Sequence, residues 1–131
     1  MEITKIDITE KVDTFRDVME IYLEKNTLTD LQKVILESIP THPFDVAGQA
    51  SLQLYIIANV LNEGWVPDWT STSEYKWYPC FVMSPFYSTD VSFCNWHRGS
   101  DFPSLMVFKE PYLARFAGTK FIEIYKAAFK K

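Results

Sequence analysis

Cys80, Cys94, His42 and His97 are the residues of this chain with the greatest intrinsic capacity to bind a metal or act as nucleophile and base. Their spacing does not assemble that chemistry. A structural zinc site draws on paired ligands such as C-x2-C or H-x3-H, and the chain has neither. A Cys–His nucleophile needs a thiolate held against a base. Cys94 and His97 stand at i and i+3, which on a strand directs them to opposite faces. The segment His97-Arg98-Gly99-Ser100-Asp101 reads as a polar turn at a strand end, a place where binding loops also occur. The carboxylates Asp68, Glu74, Asp90 and Asp101 fall in expected loops, with no spacing that defines a general acid–base pair. The four glycines are scattered singly and make no phosphate-cradling loop. No metal or cofactor is expected, and the reading leans away from an enzyme.

The denser signal is aromatic. Trp65, Trp69, Tyr75, Trp77 and Tyr78 crowd into one loop and the strand after it. Exposed Trp and Tyr stack on bases or sugars, or anchor a protein interface. Buried, the same rings fill a small core. Trp65 follows a helix-ending glycine and suits the apolar contact of a helix cap. Trp69 and Trp77 are expected to be the more exposed. The candidate binding residues are therefore Trp69, Tyr75, Trp77, His97 and Arg98.

The elements that must position these residues read as α+β: N-terminal helices, a three-stranded antiparallel sheet, and a C-terminal helix packed on the sheet. The helical part spans about 12–64, the sheet about 75–109 and the last helix about 110–130, in a single domain. Asp13 or Thr14 caps a first helix running to about Lys25, with Phe15, Val18, Met19 and Tyr22 on one side. Thr29-Asp30 caps a second, carrying Leu31, Val34, Ile35 and Ile39 and ended by Pro40. The central helix runs from Phe44 or Asp45 to Glu63. Its stripe is Ala47, Ala50, Leu54, Ile57, Ala58 and Leu61, widened by Leu52, Ile56 and Val60. Gly64 is expected at the C′ position.

Strands are expected at Lys76 to Met83, Val91 to Trp96 and Leu105 to Lys109. Pro79 places the first at an edge or a bulge. Cys80 and Cys94 could be neighbours on adjacent strands. Pro111 opens the last helix, whose stripe is Leu113, Phe116, Ala117, Phe121, Ile124, Tyr125 and Ala128. The central and last helices are expected to cover the sheet.

Composition sets the outer bounds. The chain has 131 residues, the length of one ordinary domain. At 47% hydrophobic and 16% aromatic it has ample apolar surface to offset chain entropy, which argues against a disordered protein. A net charge of −4 disfavours nonspecific nucleic-acid binding without excluding a local basic patch. No apolar run is long enough to span a bilayer, and the first residues lack a signal peptide's apolar stretch. Two cysteines are too few for a disulfide scaffold. A cytoplasmic location, with no membrane partner, is the expectation.

Three segments carry a family resemblance. Leu61-Asn62-Glu63-Gly64-Trp65-Val66-Pro67-Asp68-Trp69, Glu74-Tyr75-Lys76-Trp77-Tyr78-Pro79-Cys80-Phe81, and the run from Phe108-Lys109 through Ala114, Ala117-Gly118, Phe121 and Tyr125 match a shared pattern. The opening Val12-Asp13-Thr14-Phe15-Arg16-Asp17 also fits. The chain thereby resembles a group of proteins of gut Bacteroidales and of their phages and prophages. It departs at Cys80, where the group often has Trp, and at Tyr112. The resemblance implies no activity, cofactor or site residue. The expected function is a non-catalytic, phage- or mobile-element-related module that binds or assembles through protein contacts, with a protein partner or with itself. The alternative is a binder of small ligands or single-stranded nucleic acid, using the same rings in a groove flanked by Lys76, Arg98 or Lys109. An unrecognised enzyme would require a pocket joining His97, Asp101 and Glu74.

Overall fold

The computed structural model describes residues 6–27, 29, 43–71, 73–83, 86–94 and 106–129. The helix expected over 31–39 lies outside them, as do His42, His97, Arg98 and Asp101. A short 3-10 turn, Ile8–Glu10, leads into α1, Phe15–Lys25. Thr14 caps α1 in a closed capping box. Its hydroxyl accepts the Asp17 N–H, while Asp17 accepts the Thr14 and Asp13 N–H groups at 3.0 and 2.9 Å. Val18 and Met19 are buried, as their helical spacing requires.

The central helix, α2, spans Pro43–Leu61. Ala50, Leu54, Ile57, Ala58 and Leu61 form its buried stripe, joined by Ile56 and Val60. Leu52, expected to widen that stripe, is instead 50% exposed. The helix ends in a Schellman motif. The Gly64 N–H bonds the Asn59 carbonyl and the Glu63 N–H bonds that of Val60. This arrangement puts Glu63, not Gly64, at C′, with φ of 51°; Gly64 follows at 88°.

Strands β1, Lys76–Met83, and β2, Phe86–Cys94, pair antiparallel. β2 begins well before the expected Val91. Ser88, Thr89 and Asp90 look like a polar loop, but pairing with β1 carries them into the ladder, an instance of context overriding propensity. Cys80 faces Asp90 and Phe81 faces Ser88, so Thr89 is a bulged extra residue. Cys94 faces Lys76, four residues along the ladder from Cys80. At about 3.3 Å per residue the two cysteines are too far apart for a disulfide.

The expected third strand is reduced, among the described residues, to one bridge between Trp77 and Phe108. These two exchange both backbone hydrogen bonds, at 2.8 and 2.7 Å. The next bonded position on that edge of β1 is Pro79, which has no N–H to give. Proline thus limits the ladder it adjoins, one residue from the bulge.

The C-terminal helix is two. α3 spans Pro111–Lys120 and α4 spans Ile122–Phe129, separated by Phe121 in a non-helical conformation. Gly118 and Thr119, both weak helix formers, precede the break. The turn lets Phe121 and Tyr125 both enter the core, where Leu113, Ala114 and Ala117 are also buried. α3 lies against both strands, while α2 packs chiefly on α4 and α1. The C-terminal pair, rather than the central helix, therefore covers the sheet. Phe81 of β1 meets the buried Tyr125 ring at 5.0 Å between centroids.

Candidate functional site: an aromatic sheet end beside a caged lysine

The loop from α2 to β1 is built by short polar side chains. Asp68 accepts both the N–H and the hydroxyl of Thr70, at 3.0 and 2.6 Å. These bonds hold its carboxyl below the usual carboxylate range. Ser71 accepts the N–H groups of Ser73 and Glu74, at 3.3 and 3.2 Å. The Glu74 carboxylate accepts the Asp68 N–H at 2.8 Å and closes the loop on itself. Such Asx- and Ser-centred bonds are the expected chemistry of a turn-rich segment.

Lys76 enters this loop from the first position of β1. Its side chain has 0% exposure. The ammonium donates to the Glu74 carbonyl at 3.0 Å and to the Ser71 carbonyl at 3.2 Å. It stands 3.5 Å from the Glu74 carboxylate and 5.1 Å from the centre of the Trp69 ring. Fully buried lysines are rare unless their charge is matched. Two carbonyls, a carboxylate and a π face supply the match here.

The neighbouring residues point the other way. Tyr75 stacks on Phe93 with 4.7 Å between centroids and 30° between planes. Trp77 meets Phe93 at 5.1 Å and Tyr75 edge-on at 6.2 Å. Trp77 and Phe93 are cross-strand partners, so the hairpin itself juxtaposes them. Tyr75 is 50% exposed and Phe93 47%; Trp77 is half-buried against the core.

The structure therefore divides the five expected binding residues. Tyr75 and Trp77 lie together, joined by Phe93, which sequence reasoning missed. Phe93 sits in a run of small and polar residues, and only the strand register shows that it faces Trp77. Trp69 belongs to the lysine cage instead. Trp69 and Trp77, expected to be the exposed rings, are instead each partly buried, because one covers Lys76 and the other packs on the core. Lys76, expected to flank a ligand groove, is enclosed. His97 and Arg98 lie outside the described residues.

Among the described residues no cluster of His, Cys, Asp or Glu could hold a metal, and no helix is long and apolar enough to cross a membrane. A cleft of about 390 Å³ opens beside the ends of α1 and α2, lined by Ile8, Lys11, Tyr22, Lys25, Asn59 and Glu63 among others. Glu74 is not part of it. Comparison with protein-family models, with curated proteins and with solved structures returns no match.

Proposed function

We propose that this chain is a non-catalytic binding and assembly module that works through protein contacts made by the exposed sheet end at Tyr75 and Phe93. The observation that carries the reading is the pair of half-exposed rings stacked on each other and backed by Trp77. Aromatic anchors with a packed base and an open rim are the residues that dominate protein interfaces. The sequence resemblance to phage and prophage proteins supports placing the module among mobile-element proteins.

The geometry favours this reading over the ligand-binding alternative. Tyr75 and Phe93 use one face each on the other, which leaves no side-by-side platform for a sugar or for successive bases. Single-strand binding also needs cations along the backbone track, and Lys76 is spent inside its own loop. Tryptophan fluorescence titrated with oligosaccharides and with single-stranded oligonucleotides separates the two. The assembly reading expects no quenching by either; saturable quenching by one of them contradicts it.

A further inference from the structure

We infer that the loop before β1 is a receptor for an alkylammonium group, filled in the intact chain by Lys76, and that this occupancy positions Tyr75 against Phe93. The functional consequence, though not the receptor itself, rests on the reading of Tyr75 and Phe93 as a contact surface.

The receptor is defined by what surrounds the nitrogen. An ammonium has three donors and no acceptor. Around this one lie the carbonyls of Ser71 and Glu74, at 3.2 and 3.0 Å, and the Glu74 carboxylate at 3.5 Å. The Trp69 ring covers it at 5.1 Å. All four groups come from one short loop, residues 69–74. Lys76 reaches them as a tethered guest.

The same contacts hold Tyr75 from both sides. Glu74 precedes it and supplies a carbonyl and a carboxylate to the cage. Lys76 follows it and supplies the cation. The Glu74 carboxylate is further fixed by the Asp68 N–H at 2.8 Å. Removing the ammonium leaves a partly buried carboxylate and two carbonyls without their cation, so the loop must open to water. The residue that opens with it is Tyr75.

The test is chemical rescue. Lys76→Ala deletes Cγ to Nζ, the atoms of n-propylammonium. The variant should melt on the order of ten degrees below the parent and lose near-UV circular dichroism from the Tyr75–Phe93–Trp77 cluster. Millimolar n-propylammonium should restore most of both signals, and 1-propanol, the uncharged isostere, should not. Equal rescue by propanol, or a Lys76→Ala protein with unchanged melting and dichroism, overturns the inference. Should Lys76→Ala not fold, Glu74→Gln removes only the cage charge. Its Asp68 amide should then exchange about tenfold faster with solvent, and unchanged exchange overturns the inference equally. Both readouts report the cage whether or not the chain associates, so failure here is distinct from failure of the proposed interface.

Discussion

Asn62 and Lys109, 47 residues apart in the chain, are joined by a hydrogen bond from the Lys109 N–H to the Asn62 side-chain oxygen at 3.0 Å. The Asn62 side-chain nitrogen in turn donates to the Val107 carbonyl at 2.9 Å. Asn62 is buried at the end of α2, and its side chain acts toward residues 107–109 as a neighbouring strand would. It thereby ties the central helix to the segment that bridges β1. Asn62→Ala leaves a donor and an acceptor unmatched in the interior. The expected loss is about 2–4 kcal/mol, read as a lower denaturant midpoint at constant slope.

Glu63 and Gly64 both hold positive φ, but only one of them is glycine. Glu63→Gly relieves a left-handed conformation that costs a side-chain-bearing residue energy, so it should stabilise by up to about 1 kcal/mol. Gly64→Ala should do the reverse by about 1 kcal/mol. Nothing lies within 4 Å of a Cβ built on Gly64, so the effect comes from the backbone alone. Paired thermal melts of opposite sign check this.

Acid sensitivity follows from two capped turns. Asp17 is held below its ordinary value of 3.8 first by the Asp13 and Thr14 N–H groups. Asp68 is held below it first by the Thr70 hydroxyl and N–H. A carboxylate with a lowered folded-state pKa contributes stability that is present above about pH 4 and lost as pH falls through the lower value. Melting temperature should therefore fall in acid below pH 4. Asp17→Asn and Asp68→Asn should each flatten that decline, and an unchanged acid limb would count against both assignments.

Tyr112 donates to the Asp7 carboxylate at 3.0 Å. Partial burial first, then Asp7, raises its phenol. A raised folded-state pKa means stability that is full below pH 10 and lost as pH climbs past it. Tyr112→Phe should remove that alkaline loss from the melting profile while changing neutral-pH stability by no more than about 1 kcal/mol.

Much of this was legible in the sequence. Helical spacing located Val18, Leu54, Ile57, Leu113 and Tyr125 in the core, and Thr14 and Pro111 at helix starts. What escaped depends on partners distant in the chain. The length of β2 is set by pairing across the hairpin, since Ser88 to Asp90 look like a loop in isolation. The reduction of the third strand to a single bridge among the described residues follows from which edge of β1 Pro79 occupies. The break at Phe121 serves a core that only the assembled helices define. For the candidate site, Tyr75 and Trp77 were visible as residue types. Phe93 became visible only through register, and the enclosure of Lys76 only through the folded loop.

The claim that the Tyr75–Phe93 surface is an assembly surface is tested most directly by light scattering over a concentration series, on the parent chain and on a Tyr75→Ser/Phe93→Ser variant. The account expects the parent to form dimers or larger species as concentration rises and the variant to remain a monomer with nearly unchanged melting. A parent that stays monomeric throughout, or a variant that associates as the parent does, would contradict it.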